Sequence, residues 1–242
     1  MHIRDFEFEL KKRVDFIKDV VKKSNTNGII FGNSGGKDCV LVGILCKKAC
    51  SNTISVIMPA GTAQNMGSDM TDALLVAEKY DITTHIIDIK HVKDNLVQEI
   101  TKEFAITDNA IANIAPRLRM TVLYTIAASE NRLVAGTGNR SERYMGYFTK
   151  HGDGAFDFNP IADLTATEVL DFLRWLDAPQ SIINKAPSAG LYEGQTDEIE
   201  MGISYKAIDE YLLTGKAADS DLAIINRFHS STSHKRVPPH TL

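Results

Sequence analysis

The sequence predicts an α/β fold, a doubly wound parallel sheet with helices on both faces and a helical C-terminal portion. Short apolar runs alternate with helical patterns between residues 28 and 136, an order typical of βαβ units. A glycine-rich turn at residues 32–39 separates the first apolar run from the first apolar helix. After residue 139 strand patterns become scarce and loops lengthen, which indicates that the rest of the chain adds helices and loops to a completed sheet.

The individual elements follow from hydrophobic spacing. Apolar residues recur three and four positions apart from Phe6 to Val21, and they predict an amphipathic helix that packs on the core. Later apolar runs bounded by turn residues predict strands, and the apolar patterns between them predict helices. After the opening helix the predicted order is strand 28–32, helix 37–49, strand 53–58, helix 71–80, strand 83–89, helical stretches 91–104 and 108–130, and strand 132–136.

Three long loops are predicted in the C-terminal part, at residues 147–157, 185–199 and 229–240. Loops of this length within a compact domain commonly carry function. The sequence contains no internal repeat, low-complexity block or linker. We therefore expect residues 1–242 to form a single domain.

Composition excludes several classes of protein. The 242 residues include 27 Lys and Arg against 31 Asp and Glu, a formal net charge of −4, so no global basic field is available for binding nucleic acid without sequence preference. Three cysteines are too few for a disulfide framework and favour free thiols in a reducing compartment. Because no run of 18 apolar residues occurs, we expect no contact with a membrane and a cytoplasmic location.

The glycine-rich turn reads GNSGGKDC over residues 32–39. Small residues between a strand and a helix let backbone N–H groups approach an anion at the helix N-terminus. A Walker loop would require a glycine at position 31 and a hydroxyl at position 38, where the chain has Phe31 and Asp38. The dinucleotide pattern G-x-G-x-x-G does not fit Gly32, Gly35 and Gly36 either.

The pattern that remains, S-G-G-x-D-S/C after a strand, resembles the pyrophosphate-binding loop (PP-loop) of N-type ATP pyrophosphatases, which have the adenine nucleotide alpha hydrolase-like fold. The resemblance implies that loop amides hold the leaving pyrophosphate while Asp38 carries a divalent cation against it. Cys39 stands where these enzymes usually have serine. The ATP-binding residues implied in this loop are Gly32, Asn33, Ser34, Gly35, Gly36, Lys37, Asp38 and Cys39.

Five further blocks, in the same order, resemble the signature blocks of the NAD synthetase family. They are NIAPRLRM (113–120), GTGNRSERYMG (136–146), YFTKHGDGAFD (147–157), KAPSAGLYEGQTDEIEMG (185–202) and HKRVPP (234–239). The resemblance implies a ligase that forms a carbon–nitrogen bond. In that reaction ATP adenylates the carboxylate of deamido-NAD (nicotinic acid adenine dinucleotide), ammonia converts the adenylate to NAD, and AMP and pyrophosphate are released.

The same resemblance implies roles for individual residues. Asp38 and Glu142 would hold Mg²⁺, and Glu142 follows the fourth predicted strand, whose carboxyl end should lie beside that of the first. Thr137, Lys185 and Ser188 would contact ATP. The residues implied for deamido-NAD are Arg117, Lys150, Asp157, His234 and Lys235. Their cations suit the pyrophosphate and the nicotinate carboxylate of that substrate.

Two residues are implied for catalysis. Ammonium predominates at neutral pH and is not nucleophilic, so a carboxylate near the acyl carbon should accept its proton. Asp153 is the candidate acceptor, and Ser188 would help to position the nitrogen. The chain departs from the family at Ala166, where a lysine that contacts phosphate is common. Either Lys185 or Lys37 could supply the missing charge.

Several features are predicted to be structural. Cys39, Cys46 and Cys50 lie on one face of a single helix, with a spacing unsuited to zinc, so we expect core packing. Trp175 lies at apolar helical spacing and is expected in the core or at an interface.

The resemblance implies a homodimer, with Arg117 reaching a substrate held mainly by the other subunit. Part of the apolar stripe in residues 108–130 would form the interface. No glutaminase domain is expected, so ammonia would be free or come from a separate donor protein.

Two alternative functions would require different sequence features. Another ATP pyrophosphatase, acting on tRNA, would need a basic surface or paired reactive cysteines. A non-catalytic nucleotide sensor would not require Glu142, Lys150 and Asp157 together.

Overall fold

The computed structural model describes residues 4–185, 188, 196–239 and 241. The elements in these residues are α1 (Phe6–Ser24), β1 (Gly28–Gly32), α2 (Lys37–Ala49), β2 (Thr53–Ile57), α3 (Ala63–Met66), α4 (Ser68–Lys79), β3 (Thr83–Ile86), α5 (Lys90–Thr101), α6 (Asp108–Ala112), α7 (Ile114–Glu130), β4 (Arg132–Val134), α8 (Arg140–Met145), α9 (Ala166–Trp175), α10 (Gln180–Ile183), α11 (Asp197–Met201), α12 (Tyr205–Thr214) and α13 (Asp219–Ser231).

The four strands form one sheet in the order β3-β2-β1-β4. Every pair is parallel, and Ile30 at the centre of β1 pairs with Ile54 on one side and Val134 on the other. The chain moves outward from β1 to β3 and then returns to β4 on the opposite side of β1. The strand order therefore reverses between β1 and β4, and such a reversal opens a crevice at the carboxyl ends of the two strands.

Helices cover both faces of the sheet, as predicted. Successive side chains of a strand point to opposite faces, so Ile29 and Phe31 pack in one cluster with residues of α1, α2, α9 and α10. Ile30 packs in a second cluster with Val134 and with residues of α7. The pattern confirms the doubly wound parallel sheet.

The C-terminal portion is helical and has a smaller core of its own. Met145 of α8, Met201 of α11, Ile208 of α12 and Ile225 of α13 are buried against one another. This cluster holds α8, which follows β4, against the last helices of the chain. Helices α8, α11, α12 and α13 thus form a helical layer beside the carboxyl ends of β1 and β4, whereas α9 and α10 pack on the sheet itself.

Strand ends differ slightly from the prediction. β3 ends at Ile86 instead of residue 89, although the amide of Ile87 donates to the carbonyl of Ile57, the last residue of β2, and that of Ile89 donates to the carbonyl of Pro59. β4 ends at Val134 instead of residue 136, and Ala135 forms an isolated parallel bridge with Phe158. Backbone hydrogen bonds between neighbouring segments thus continue past the last residues of β3 and β4, where the apolar runs also continue.

The predicted helical stretch 108–130 is two helices, α6 and α7, that meet at Asn113. Pro116 lies in the first turn of α7 and has no N–H to donate to the carbonyl of Ala112. A proline there is tolerated at a helix start but not in a helix interior. The predicted continuity across Asn113 is therefore wrong.

The predicted loops are only partly irregular. Residues 147–157 contain no helix or strand, as expected. The stretch 229–240 begins in the last turn of α13 and includes a 3₁₀ turn at Ser233–Lys235. His229, in that last turn of α13, stacks on Tyr144 with ring centroids 4.1 Å apart. The stretch 185–199 ends in α11, and its residues 186–187 and 189–195 lie outside the described residues.

The residues expected to be structural have different environments. Cys46 is fully buried in the core, and Cys50 is half-buried against it. Trp175 is 47% exposed at the surface beside Phe6 and Phe172, so it does not lie in the core, and its place at an interface stays a prediction. Within the described ranges, no helix is both long enough and apolar enough to cross a membrane.

Candidate active site

A cavity of about 740 Å³ lies at the carboxyl ends of β1, β2 and β4, at the reversal of strand order. Its volume is within the range of small-molecule sites. The sequence-predicted residues that line it are Gly32, Asn33, Ser34, Gly36, Lys37, Asp38, Cys39, Thr137, Glu142, Asp153, Lys185, Ser188 and Lys235. Residues far apart in sequence are thus brought to one cavity.

The PP-loop is shaped by its own side chains. Asn33 is buried, accepts a hydrogen bond from the amide of Gly35 (3.1 Å) and donates to the carbonyl of Ala73 in α4 (3.3 Å). Gly35 has a φ of +69°, and a Cβ atom there would lie 2.3 Å from the carbonyl oxygen of Asp69. Only glycine fits this position.

The start of α2 is suited to an anion. Its N-cap residue is Gly36, and no side chain caps this end. The Ser34 hydroxyl accepts from the Gly36 amide (3.3 Å) and contacts the Cys39 sulfur (3.2 Å). Amide groups and the positive end of the helix dipole therefore face the cavity, and this arrangement commonly binds phosphate.

Asp38 and Glu142 lie on either side of Asn139, a residue that sequence reasoning missed. The Asn139 amide group donates to Asp38 Oδ1 (3.1 Å), and its backbone N–H donates to Glu142 Oε2 (3.0 Å). Asn139 also accepts from the Glu142 amide (3.0 Å), completing a capping box at the start of α8. The N-x-x-E spacing is the signal that could have revealed this residue.

Burial makes the ionised forms of both carboxyl groups costly. It raises the pKa of Asp38 to about 6, with a further increase from the charge of Asp197. Burial raises the pKa of Glu142 well above its ordinary value, and the charge of Asp38 adds to the effect. A cation between the two groups would relieve this cost.

The pair fits a magnesium site that is completed by substrate. Mg²⁺ is usually bound by one or two carboxylates together with phosphate oxygens and waters. Asp38 and Glu142 supply two carboxylates, and in the described parts of the chain no group of three His, Cys, Asp or Glu side chains could hold a metal ion. The protein ligands alone would thus leave several coordination positions for phosphate and water.

Asp153 lies in the irregular segment after α8 and opens onto the cavity. Its Oδ1 accepts a hydrogen bond from the Thr149 amide (2.9 Å). The surrounding protein desolvates the carboxyl and raises its pKa, while the nearby cations Arg119 and Lys235 oppose the increase. A carboxyl with a raised pKa is a better proton acceptor near neutral pH.

The two lysines considered for the charge missing at Ala166 are already engaged. Lys185 Nζ lies 2.8 Å from a carboxylate oxygen of Asp69 and 2.8 Å from one of Asp72. Lys37 Nζ donates to the carbonyl of Lys185 (2.6 Å). Either lysine must exchange these partners before it can hold a phosphate.

The residues implied for deamido-NAD divide into two groups. Lys235 lines the cavity and donates to the carbonyls of Gly146 (2.7 Å) and Phe148 (2.6 Å). Arg117, Lys150 and His234 do not line it.

Those three residues lie next to one another at the protein surface. Arg117 donates to the Lys150 carbonyl (3.4 Å), and Lys150 donates to the His234 carbonyl (2.9 Å). Asp157 accepts from the Val134 amide (2.7 Å) and from the Tyr124 hydroxyl (3.2 Å), so it braces β4 outside the cavity.

Three further cavity residues, Arg119, Asp197 and Tyr205, were given no role by the sequence, although Arg119 and Asp197 lie within two of the blocks that resemble the family. Tyr205 donates to Asp197 Oδ2 (3.1 Å), and burial raises the pKa of Tyr205 well above its ordinary value. Arg119 donates from Nε to the carbonyl of Met58 (3.1 Å). Arg119 and Tyr205 sit at helical spacing among apolar residues, and only the packing of α7 and α12 turns them toward the cavity.

The sheet order, the PP-loop and the cavity at the switch point define a class of protein, the nucleotide-binding α/β domains with the adenine nucleotide alpha hydrolase-like fold. The sequence matches the NAD synthase family over residues 9–239. The chain therefore belongs to the NAD synthase family.

Individual relatives cover almost the whole chain. The sequence is 42% identical to an NH₃-dependent NAD⁺ synthetase of Carboxydothermus hydrogenoformans over 97% of both chains. The structure is similar to an NMN synthetase of Francisella tularensis, with a TM-score of 0.93 at 35% identity over 99% of both chains. It is also similar to an NH₃-dependent NAD synthetase of Campylobacter jejuni, with a TM-score of 0.81 at 30% identity over 99% of this chain and 100% of that one.

Proposed function

We propose that this protein is an ammonia-dependent NAD synthetase that amidates deamido-NAD with ATP and releases AMP and pyrophosphate. The observation that carries the proposal is one cavity that combines an anion-binding loop, the carboxylate pair Asp38 and Glu142, and the separate carboxylate Asp153. Family membership and the relatives' names support the same reaction.

The first step is adenylation of the substrate carboxylate. A carboxylate is a poor acyl donor, so one of its oxygens attacks the α-phosphorus of ATP and pyrophosphate leaves. The uncapped N-terminus of α2 and the PP-loop amides hold the leaving group. Asp38 and Glu142 would hold Mg²⁺, which supplies positive charge to the phosphates.

The second step forms the amide. Ammonia attacks the carbonyl carbon of the adenylate, AMP leaves, and Asp153 takes a proton from the nitrogen. Its position on the cavity wall and its raised pKa support this role. Ser188 also lines the cavity, and we assign it to positioning the nitrogen and contacting ATP.

The remaining ligand contacts belong to the same proposal. Thr137, Lys185 and the PP-loop would contact ATP, and Lys235 would contact deamido-NAD within the cavity. Arg117, Lys150, His234 and Asp157 lie outside the cavity of one chain. They would contact the dinucleotide only if it extends to a subunit boundary, which fits the proposed homodimer. The cytoplasmic location and the source of ammonia stay predictions.

A second substrate has its own support, because the similar structure with a TM-score of 0.93 is that of an NMN synthetase. Such an enzyme would amidate the mononucleotide form of the substrate. The chemistry at the carboxylate is the same, so the carboxylate pair and Asp153 do not distinguish the two. Arg117 and Lys150 lie outside the cavity, and we assign them to the additional part of the larger dinucleotide.

The test compares both acids in one assay. Purified protein is supplied with ATP, ammonium and either deamido-NAD or nicotinate mononucleotide, with and without Mg²⁺, and amide product and pyrophosphate are measured. We expect Mg²⁺-dependent NAD formation with a higher kcat/KM for the dinucleotide. A higher kcat/KM for the mononucleotide would make the protein an NMN synthetase, and no amidation of either acid would reject the proposed function.

A further inference from the structure

Arg119 presents a guanidinium group to the cavity. It belongs to α7, and its Nε donates to the carbonyl of Met58 just after β2, which fixes the direction of the side chain. Among the described residues no carboxylate lies within 4.0 Å of its nitrogens, and burial lowers the pKa of Arg119. Arg119 is half-buried in the cavity wall, and a guanidinium that lines a cavity without an anionic partner is placed to bind an anion from outside the chain.

The lysines that line the cavity differ from Arg119 in their partners and in their exposure. Lys37 and Lys235 donate to backbone carbonyls, and Lys185 is paired with two aspartates. Lys206 is exposed. Arg119 uses Nε for the Met58 carbonyl, and its two terminal NH₂ groups have no hydrogen-bond acceptor among the described residues.

The position of Arg119 indicates which anion it binds. Pro116, one turn before Arg119 on α7, packs against Gly152, the neighbour of Asp153. Met58, whose carbonyl accepts from Arg119, packs against Gly32 at the start of the PP-loop. Arg119 therefore lies between the proposed proton acceptor and the loop that holds pyrophosphate. During the reaction the substrate carboxylate must occupy the space between Asp153 and the PP-loop. One of its oxygens attacks ATP, and its carbon is then the acyl carbon of the adenylate.

We propose that the terminal N–H groups of Arg119 bind the carboxylate of the pyridine substrate and keep their contact with its oxygens in the acyl adenylate. The inference rests on the proposed function and names the residue that recognises the acid. The planar fork of a guanidinium matches a carboxylate, with two charge-assisted hydrogen bonds.

The same contact distinguishes substrate from product. In the product one carboxylate oxygen is replaced by an NH₂ group, which carries no charge and turns N–H donors toward the N–H donors of Arg119. Binding of the acid is therefore favoured over binding of the amide at this position. Arg119 would thus aid product release as well as substrate binding.

The experiment measures binding without catalysis. Dissociation constants of deamido-NAD and of NAD are determined by calorimetry, without ATP, for the wild type, Arg119→Met and Arg119→Lys. The control is Arg227→Met, which removes an exposed arginine of α13. We expect Arg119→Met to weaken binding of the acid by about tenfold or more, to change binding of NAD less than about threefold, and to reduce the rate of pyrophosphate release. Arg119→Lys should recover part of the affinity for the acid, and Arg227→Met should behave as the wild type.

Other outcomes would overturn the inference. Equal weakening of acid and amide would give Arg119 a structural role, and weakened binding of an α,β-methylene ATP analogue alone would place it on the triphosphate. Unchanged binding of the acid would exclude the contact. A wild type that binds deamido-NAD but never forms NAD would reject the proposed function while leaving the carboxylate contact measurable.

Discussion

Asp38 and Glu142 are held at a cost to stability. In the folded protein burial raises the pKa of Asp38 from 3.8 to about 6, whereas the unfolded chain loses this proton at the ordinary value. Between these pH values the folded state therefore binds more protons than the unfolded state, so this carboxyl's contribution to stability falls as pH rises through the window. Above pH 6 the ionised Asp38 carboxylate lowers stability by a constant amount, which a bound cation would offset.

Asp38→Asn and Glu142→Gln should each abolish turnover and Mg²⁺-dependent ATP cleavage, because each removes a charge from the metal site with little change in volume. Without Mg²⁺ at pH 8, Asp38→Asn should raise the free energy of unfolding on the order of 1 kcal/mol, and the gain should disappear at pH 4. Urea unfolding at the two pH values and a pyrophosphate assay measure these effects. Full activity in either variant would show that the metal ion is held elsewhere.

Asp153→Asn should affect the ammonia step selectively. The amide oxygen can still accept the Thr149 N–H bond, so the loop geometry is kept while proton transfer is lost. We expect NAD formation to fall by a factor of about 100 or more while pyrophosphate release continues. Higher pH should restore part of the activity because more free ammonia is then present.

In the wild type the ammonia step should decline on acidification through the raised pKa of Asp153. This pH dependence should be absent from the Asp153→Asn variant. If that variant loses pyrophosphate release and NAD formation equally, without rescue at high pH, Asp153 acts in substrate binding instead.

At the scale of elements, the position of α8 depends on a buried carboxylate of α12. Asp209 accepts hydrogen bonds from the Ser141 hydroxyl, from the Thr167 amide (2.7 Å) and from the Thr167 hydroxyl (2.5 Å). Ser141 precedes Glu142, and Thr167 lies in the first turn of α9. One side chain therefore ties α8 and α9 together next to the carboxylate pair.

Asp209→Ala should lower the free energy of unfolding by about 2–4 kcal/mol, because it leaves several buried donors without an acceptor. It should also weaken Mg²⁺-ATP binding, since Glu142 moves with α8. Glu210→Ala removes the exposed neighbour on the same helix and should change stability by less than about 0.5 kcal/mol. Denaturant titration measures the free energy of unfolding, and a binding assay measures the affinity for Mg²⁺-ATP. If Asp209→Ala changes neither quantity, the packing of Met145 alone holds α8.

At the scale of the whole molecule, one side of the sheet exposes apolar residues. Ile86 on the edge strand β3 is 52% exposed, Val92 of α5 is 54% exposed, and α5 has no buried residue. Leu123 and Ala127 of α7 are buried against the sheet, so only part of the apolar stripe in residues 108–130 remains for a second subunit. Exposed apolar surface of this kind suits the proposed homodimer.

Mixed dimers test whether the active site is shared. Asp38→Asn and Arg117→Ala protomers should each be inactive alone. If Arg117 contacts a substrate held by the other subunit, each mixed dimer contains one site with both residues intact, and an equal mixture should reach about a quarter of wild-type activity. Native mass spectrometry establishes that mixed dimers form. Their formation without recovered activity would place Arg117 and the PP-loop in one self-contained site.

The sequence by itself determined the alternation of strands and helices, the PP-loop and several of the charged residues that line the cavity. These features are local, since hydrophobic period and turn chemistry depend on neighbours in the chain. Asp38, Glu142 and Asp153 could be named in advance because their motifs have fixed spacing.

Only the tertiary structure decided which charges face the cavity and which are already paired. Lys185 has carboxylate partners in α4, Asp157 braces β4, and Arg119, two residues after the more exposed Arg117, turns inward to the Met58 carbonyl. Helical spacing does not distinguish these two arginines, because the direction of each side chain depends on how α7 packs against the sheet. Burial and pairing are properties of residues distant in sequence, so they arise only when the elements pack together.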